Sequence, residues 1–186
     1  MIYFTSDLHF FHSNIIKLRK RPFADANEMD EALIRNWNNQ VLPTDHVYIL
    51  GDISMAPTYY IAEIMNRLNG KKYLVKGNHD KFVDRIDWDK YSHIFEWVKP
   101  YHEMVESTQK IVLFHYPIAE WNGFFRGALH LHGHQHNDPT YNLRQKSFGL
   151  RRYDVGVDAN KFTPVSLKYI LNFLKDVKEN NKDYLK

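Results

Sequence analysis

The chain has 186 residues, with 25 Lys+Arg against 22 Asp+Glu, 11 His and no Cys. That length suits one domain burying roughly 70% of its unfolded surface, and 44% hydrophobic with 25% charged residues excludes a disordered, collagenous or coiled-coil chain. A chain without Cys has no disulfide, thiolate nucleophile or Cys-based zinc or iron–sulfur site, and a net charge of +3 is too small to argue for nucleic acid by itself.

Met1-Ile2-Tyr3-Phe4 carries no basic n-region, long apolar run or small-residue cleavage site, and no apolar run nears the roughly 20 residues of a bilayer span, so a soluble cytoplasmic protein is expected. Ile2-Tyr3-Phe4 reads as a short strand ending at Ser6-Asp7. Ser13 is the expected cap of a short helix through Lys20, which Pro22 helps to stop. Asn27 is the expected N-cap of the next helix, with Glu28, Asp30 and Glu31 at its positive end and Met29, Leu33, Ile34, Trp37 and Val41 on one apolar stripe. His46 to Leu50 reads as a buried strand that stops at Gly51-Asp52. Pro57 suits the first turn of a third helix, with Ile61, Ile64, Met65 and Leu68 on one face and Gly70 as its stop. Lys72 to Val75 is another strand, ending at Gly77-Asn78-His79-Asp80. Strand, polar loop and helix repeated in this way is the pattern of a parallel sheet, which binds ligands at the carboxyl ends of its strands.

In the second half, Glu96-Trp97-Val98, His102 to Val105 and Ile111 to Phe114 read as short strands, the last two joined around Ser107-Thr108-Gln109. Ala128 to His132 alternates, and Tyr153 to Val157 reads the same way. Thr163-Pro164 opens a final helix with Leu167, Ile170, Leu171 and Leu174 on one side. This half predicts a second sheet packed on the first. Residues 1–186 form a single domain, with 178–186 a polar tail expected to fray.

The histidines carry the functional signal. Five of them fall between His115 and His136. Five clusters sit at strand ends: Asp7-x-His9, Gly51-Asp52, Gly77-Asn78-His79-Asp80, His115, and Gly133-His134-x-His136. They offer oxygen and imidazole but no sulfur, which suits divalent Mn, Fe, Zn or Ni.

These five blocks resemble those of the calcineurin-like metallophosphoesterases, in particular the small bacterial and phage-type members. The resemblance implies an α/β (α+β layered) fold, a β-sandwich of two mixed sheets flanked by helices. It implies one metal held by Asp7, His9, Asp52 and His136, and a second by Asp52, Asn78, His115 and His134, with Asp52 as the bridge. His79 is then not a ligand but faces the leaving-group oxygen. The activity implied is two-metal hydrolysis, with manganese the first expectation, in which a bridging hydroxide attacks phosphorus in line. The substrate expected is a phosphomonoester or phosphodiester of a small or nucleotide-like molecule. Two divalent ions, two carboxylates and a hydroxide leave the site net positive, which draws a phosphoryl anion to it.

Two other readings stay open: a nuclease acting on short single-stranded nucleic acid, and a non-catalytic metal-binding interaction module on the same fold. Arg144 to Arg152, with Lys146, Phe148, Arg151 and Tyr153, reads either as a basic, aromatic track for a single strand or as a solvated loop. Trp121 to Gly127 reads either as a mobile lip, with Phe125 and Arg126 on the substrate, or as a plug of the core by Phe124 and Phe125. His12 either lines the pocket or caps the helix that starts near Ser13. Lys17 to Arg21 reads as the wet face of that helix, and His130 and His132 as a core pair. Met55 stands where many relatives have an acidic residue that orients the catalytic histidine.

Overall fold

Alternation in three short strands builds two cores at once. In the computed structural model, which describes residues 1–85 and 88–185, these strands are β1 (Ile2–Thr5), β2 (His46–Ile49) and β3 (Lys71–Val75). Tyr3, Val47, Ile49 and Leu74 point to one face, where they meet Met29, Leu33, Trp37, Ile61 and Met65. These partners come from α2 (Ala26–Asn38) and α3 (Thr58–Arg67). Phe4, Leu50 and Val75 point the other way and pack on Ile111, Leu113, Leu129 and Leu131 of the second sheet. A period of two therefore serves a helix layer on one side and a sheet-on-sheet core on the other.

The first sheet has the order β4-β3-β2-β1-β9, with β4 at Val98–Lys99 and β9 at Val165–Ser166. All its pairs are parallel except β1 with β9. The second sheet, in the order β5-β6-β7-β8, comprises β5 (His102–Glu106), β6 (Gln109–Leu113), β7 (Leu129–His132) and β8 (Arg152–Asp154). Its β5–β6 pair is an antiparallel hairpin and the remaining pairs are parallel. The remaining helices are α1 (Ser13–Arg19), α4 (Tyr141–Ser147) and α5 (Leu167–Phe173). Two mixed sheets flanked by helices is the architecture expected. No helix among the described residues is long and apolar enough to cross a membrane.

Several local expectations are corrected. Asp25, not Asn27, caps α2: its carboxylate accepts the Glu28 N–H at 2.9 Å, and Glu28 accepts the Ala24 N–H at 2.6 Å. Such a cap contributes about 1 kcal/mol. Ser13 is the first helical residue of α1, and the cap position is His12, without a side-chain cap bond. α3 ends at Arg67 with Leu68 as its cap, short of Gly70. Val98 joins the first sheet, because Leu74 N–H bonds to Trp97 O at 3.0 Å. Thr163-Pro164 lead into β9, and α5 starts only at Leu167, where Ser166 Oγ accepts from Tyr169 N–H at 3.2 Å. β8 stops at Asp154, and Val157 opens a 3-10 turn. α4 lies in the stretch read as a basic loop, and its buried residues are Tyr141, Asn142 and Gln145, so it has no apolar stripe to read. In the tail, Asn180 is buried and ties in three backbone groups: it donates to Phe124 O and Ala128 O at 3.0 and 3.2 Å and accepts from Arg151 N–H at 2.6 Å.

Candidate metal centre

The loops after β1, β2 and β3 open at the carboxyl edge of the first sheet, and those after β6 and β7 at the matching edge of the second. Main-chain bonds zip the first two loops together: Asp7 N–H to Gly51 O and His9 N–H to Asp52 O at 3.0 Å, then Phe10 N–H to Ile53 O at 2.9 Å. Gly133 N–H to His115 O, also 3.0 Å, joins the other pair. Two glycines let these loops approach so closely. A Cβ on Gly77 would run into the Asp52 side chain, and one on Gly133 into Ser6 Oγ and Asp7 Oδ2.

The turns are tight enough to force side-chain-bearing residues into the left-handed region. Asp7, His9, Asp52, His134 and His136 have φ of 58, 53, 56, 72 and 49°. Each such residue costs roughly 1–2 kcal/mol, Asp somewhat less. Strain of this kind gathers where surrounding structure holds a functional geometry.

Two donor groups result, Asp7–His9–His136 and Asp52–His115–His134, the ligand atoms of each lying within 4.8 Å of one another. They adjoin across Asp52, whose Oδ2 is 3.5 Å from His115 Nε2 and 3.7 Å from His9 Nε2. Asn78 Oδ1 lies 3.0 Å from His115 Nε2, on the side of the second group. The structure thus brings all seven predicted ligands together. His79 belongs to neither group. Its N–H donates to Asp52 Oδ1 at 2.9 Å, while its half-buried ring holds Nε2 4.0 Å from Asp52 Oδ2.

Burial pushes the Asp7 carboxyl up to about 7, with His136 and His115 pulling the other way. Burial, reinforced by His136, drives the His9 imidazole down to about 3, so it is neutral and keeps a free lone pair. Burial also resists ionisation of Asp52, but His115 outweighs it and holds that carboxylate well below its usual range. His9 Nε2 and His136 Nε2 face each other at 3.2 Å. A buried Asp7 carboxylate short of counter-charge, an ionised Asp52 and converging imidazole nitrogens are the donor set that a divalent cation completes.

An outer layer orients these donors. Asp158 Oδ2 is 2.8 Å from His136 Nδ1, and the same carboxylate takes Arg21 Nε and Nη2, each at 2.8 Å. Arg21 also donates to Asp7 O at 2.7 Å and Leu8 O at 3.0 Å, so it is buried under the site and not on a wet helix face. Sequence reasoning missed Asp158, which lies in no motif. Asp80, in the Gly77–Asp80 block, accepts the N–H groups of Asp52, Ile53 and Gly77, each at 2.8 Å. Asp158→Asn is expected to weaken divalent-metal affinity about 10–100-fold, read by competition with a chelator; unchanged affinity would remove this role from Asp158.

His12 lies beside the centre, its Nδ1 3.4 Å from His9 Nδ1. Met55 is exposed, and the His79 ring lies beside Asp52 and 5.4 Å from the His9 ring. Phe125 and Arg126 are not brought to the centre. They occupy a turn leading into the start of β7, whereas His134 and His136 follow its end. Phe124 is the plug there, its ring 4.7 Å from Trp121. The basic stretch divides: Arg144 pairs with Asp138 at 2.9 Å and Lys146 with Asp176 at 3.3 Å at the surface, whereas Arg151 and Arg152 are buried. His130 and His132 are buried core residues, His132 Nε2 lying 3.3 Å from Tyr141 Oη.

Known proteins are similar to this chain to differing extents. The profile of the calcineurin-like phosphoesterase family matches residues 1–183. An uncharacterized protein of Methanocaldococcus jannaschii is 34% identical over 181 residues, covering 94% of this chain and 91% of its own. The gene 66 protein of Mycobacterium phage L5 is 28% identical over 184 residues, covering 84% of this chain and 86% of its own. Among solved structures, a protein of unknown function from Aquifex aeolicus has a TM-score of 0.72 at 26% identity, over 92% of this chain and 98% of its own.

Proposed function

The chain belongs to the calcineurin-like phosphoesterase family, and from that premise we propose that it hydrolyses phosphoesters, mono- or diesters of a small or nucleotide-like molecule, with two divalent metal ions. The observation that carries this reading is the pair of abutting donor groups, with Asp52 of the second lying 3.7 Å from His9 of the first and His79 beside them but outside both.

Asp7, His9, Asp52 and His136 would hold one ion, and Asp52, Asn78, His115 and His134 the other. Imidazole, amide and carboxylate donors suit manganese, with iron, zinc or nickel as substitutes. Bound there, such ions supply positive charge to the phosphoryl oxygens and acidify a water. The chain's own residues do the rest. Asp52 stays ionised beside His115, and the neutral His9 keeps its lone pair. Tyr116, its ring 4.4 Å from that of His134 and its Oη 3.5 Å from Asn78 Oδ1, walls the second group. The His79 side chain is 39% exposed, so its Nε2 is open to a substrate and in its protonated form gives a proton to the leaving-group oxygen.

The test is hydrolysis of p-nitrophenyl phosphate beside bis-p-nitrophenyl phosphate by protein stripped with chelator and then supplied with manganese. Turnover of at least one ester is expected, absent after stripping and restored by the metal. The preferred ester then separates phosphatase from phosphodiesterase. No metal-dependent turnover of either would overturn the reading in favour of a binding module.

A further inference from the structure

We propose that Phe11 and Tyr60 form a stacking seat for the base of a nucleoside phosphoester, which rests on the phosphoester reading above and narrows its substrate class. The two rings lie with centroids 5.5 Å apart and planes inclined by 49°, and Tyr59 leans on Tyr60 at 4.0 Å and 35°. All three are at the surface: Phe11 is 42% exposed, Tyr60 41% and Tyr59 50%, with Met55 beside them in sequence at 45%.

This patch is built, not left over. Phe11 has φ of 62°, a left-handed backbone that a bulky aromatic residue rarely adopts. What holds it there is Asp30, a buried carboxylate whose two oxygens accept the Phe11 N–H at 3.0 and 3.3 Å. Zipping of the preceding residue to the loop after β2, through Phe10 N–H to Ile53 O and Ser54 Oγ to Phe10 O at 2.8 Å, brings Phe11 beside the first turn of α3, where Tyr60 sits. A fold that commits a buried carboxylate to keeping an aromatic ring strained and in water has not done so for its core.

Position selects the occupant. Phe11 is two residues from His9, so their Cα atoms are at most about 7.6 Å apart. The intervening turn leads straight to His12, whose imidazole touches that of His9. A group on the patch and a phosphoryl group at the metal centre are therefore within reach of one small molecule. The patch presents flat π faces and no charged group of its own, which suits a nucleobase; base–aromatic stacking tolerates any base.

Two esters with the same leaving group isolate the seat: thymidine 5′-(p-nitrophenyl phosphate) and methyl p-nitrophenyl phosphate. The manganese-loaded protein is expected to favour the thymidine ester in kcat/KM by about 5–100-fold, the range one stacked base supplies. Tyr60→Leu should bring that ratio towards one, and Tyr60→Phe, which keeps the ring, should retain it. Because the ratio is taken within each variant, general damage to the fold cancels. If the protein cleaves monoesters alone, the same preference is read as kcat/KM for phosphate release from thymidine 5′-monophosphate against ribose 5-phosphate. Equal kcat/KM for the two esters, or a ratio that survives Tyr60→Leu, would overturn the seat and leave hydrolysis standing. Failure to turn over these diesters and the monoesters alike would instead overturn the phosphoester reading, and the seat with it.

Discussion

Replacing His79 with alanine is expected to lower kcat about 10²–10⁴-fold on an ester with an alkyl leaving group, with no loss of bound metal. The geometry separates the two effects. His79 lies outside both donor groups, and only its backbone N–H bonds to Asp52. Removing the ring therefore leaves the main-chain contact that fixes the loop after β3. The size of the loss should depend on the leaving group. An alkoxide needs a proton as it departs, whereas p-nitrophenolate is stable without one, so the p-nitrophenyl ester should lose much less. Metal content by atomic emission, with kcat on both esters, checks this. Equal losses would make His79 a stabiliser of phosphoryl charge instead of a proton donor. An unchanged kcat on the alkyl ester would sink its catalytic role.

Asp52→Asn should have the larger effect, because one side chain belongs to the second donor group and also lies 3.7 Å from His9 of the first, where the proposed function has it shared. Its Oδ2 is 3.5 Å from His115, 3.7 Å from His9 and 4.0 Å from His79, and its Oδ1 takes the His79 N–H. Asparagine keeps the shape and tolerates the left-handed backbone at this position, where φ is 56°. The charge is what disappears, and a neutral amide joins two cations poorly. Bound metal should fall from two ions to at most one. The kcat/KM should drop by at least about 10³-fold, equivalent to the several kcal/mol that such ions supply. The rise in Tm on adding manganese should shrink in parallel, since that rise measures binding to the folded state. A variant that kept two ions and its activity would exclude Asp52 as the shared ligand. Alanine is the poorer test, because it changes backbone tolerance together with charge.

The candidate site was legible because each donor follows a strand end by two to four residues, so one-dimensional order became three-dimensional proximity once the strands lay parallel. Asp7, Asp52, Asn78, His115 and His134 all gain their position this way. The supporting groups were not legible, because they are joined by packing and not by order: Arg21 and Asp158 are 137 residues apart and meet only through the folded chain. Phe125 and Arg126 failed for a related reason. Composition suggested a lip, but which end of the sheet it occupies follows from the direction of β7, which runs parallel to β6. Asp25 was a readable miss, since Glu28 three residues later is the partner of a capping box. The two-residue β4 and the polar α4 carry too little periodicity to assign from sequence, and their placement is tertiary.

The Asp80 carboxylate has a consequence for how the cleft breathes. Three amides from two different loops, Asp52, Ile53 and Gly77, share this one buried acceptor. None of the three can swap its proton with solvent until the shared contact breaks, and breaking it frees all of them together. In deuterated water their exchange should follow one common opening rate, distinct from that of the core strands, so the loops after β2 and β3 unlatch as a single cooperative unit.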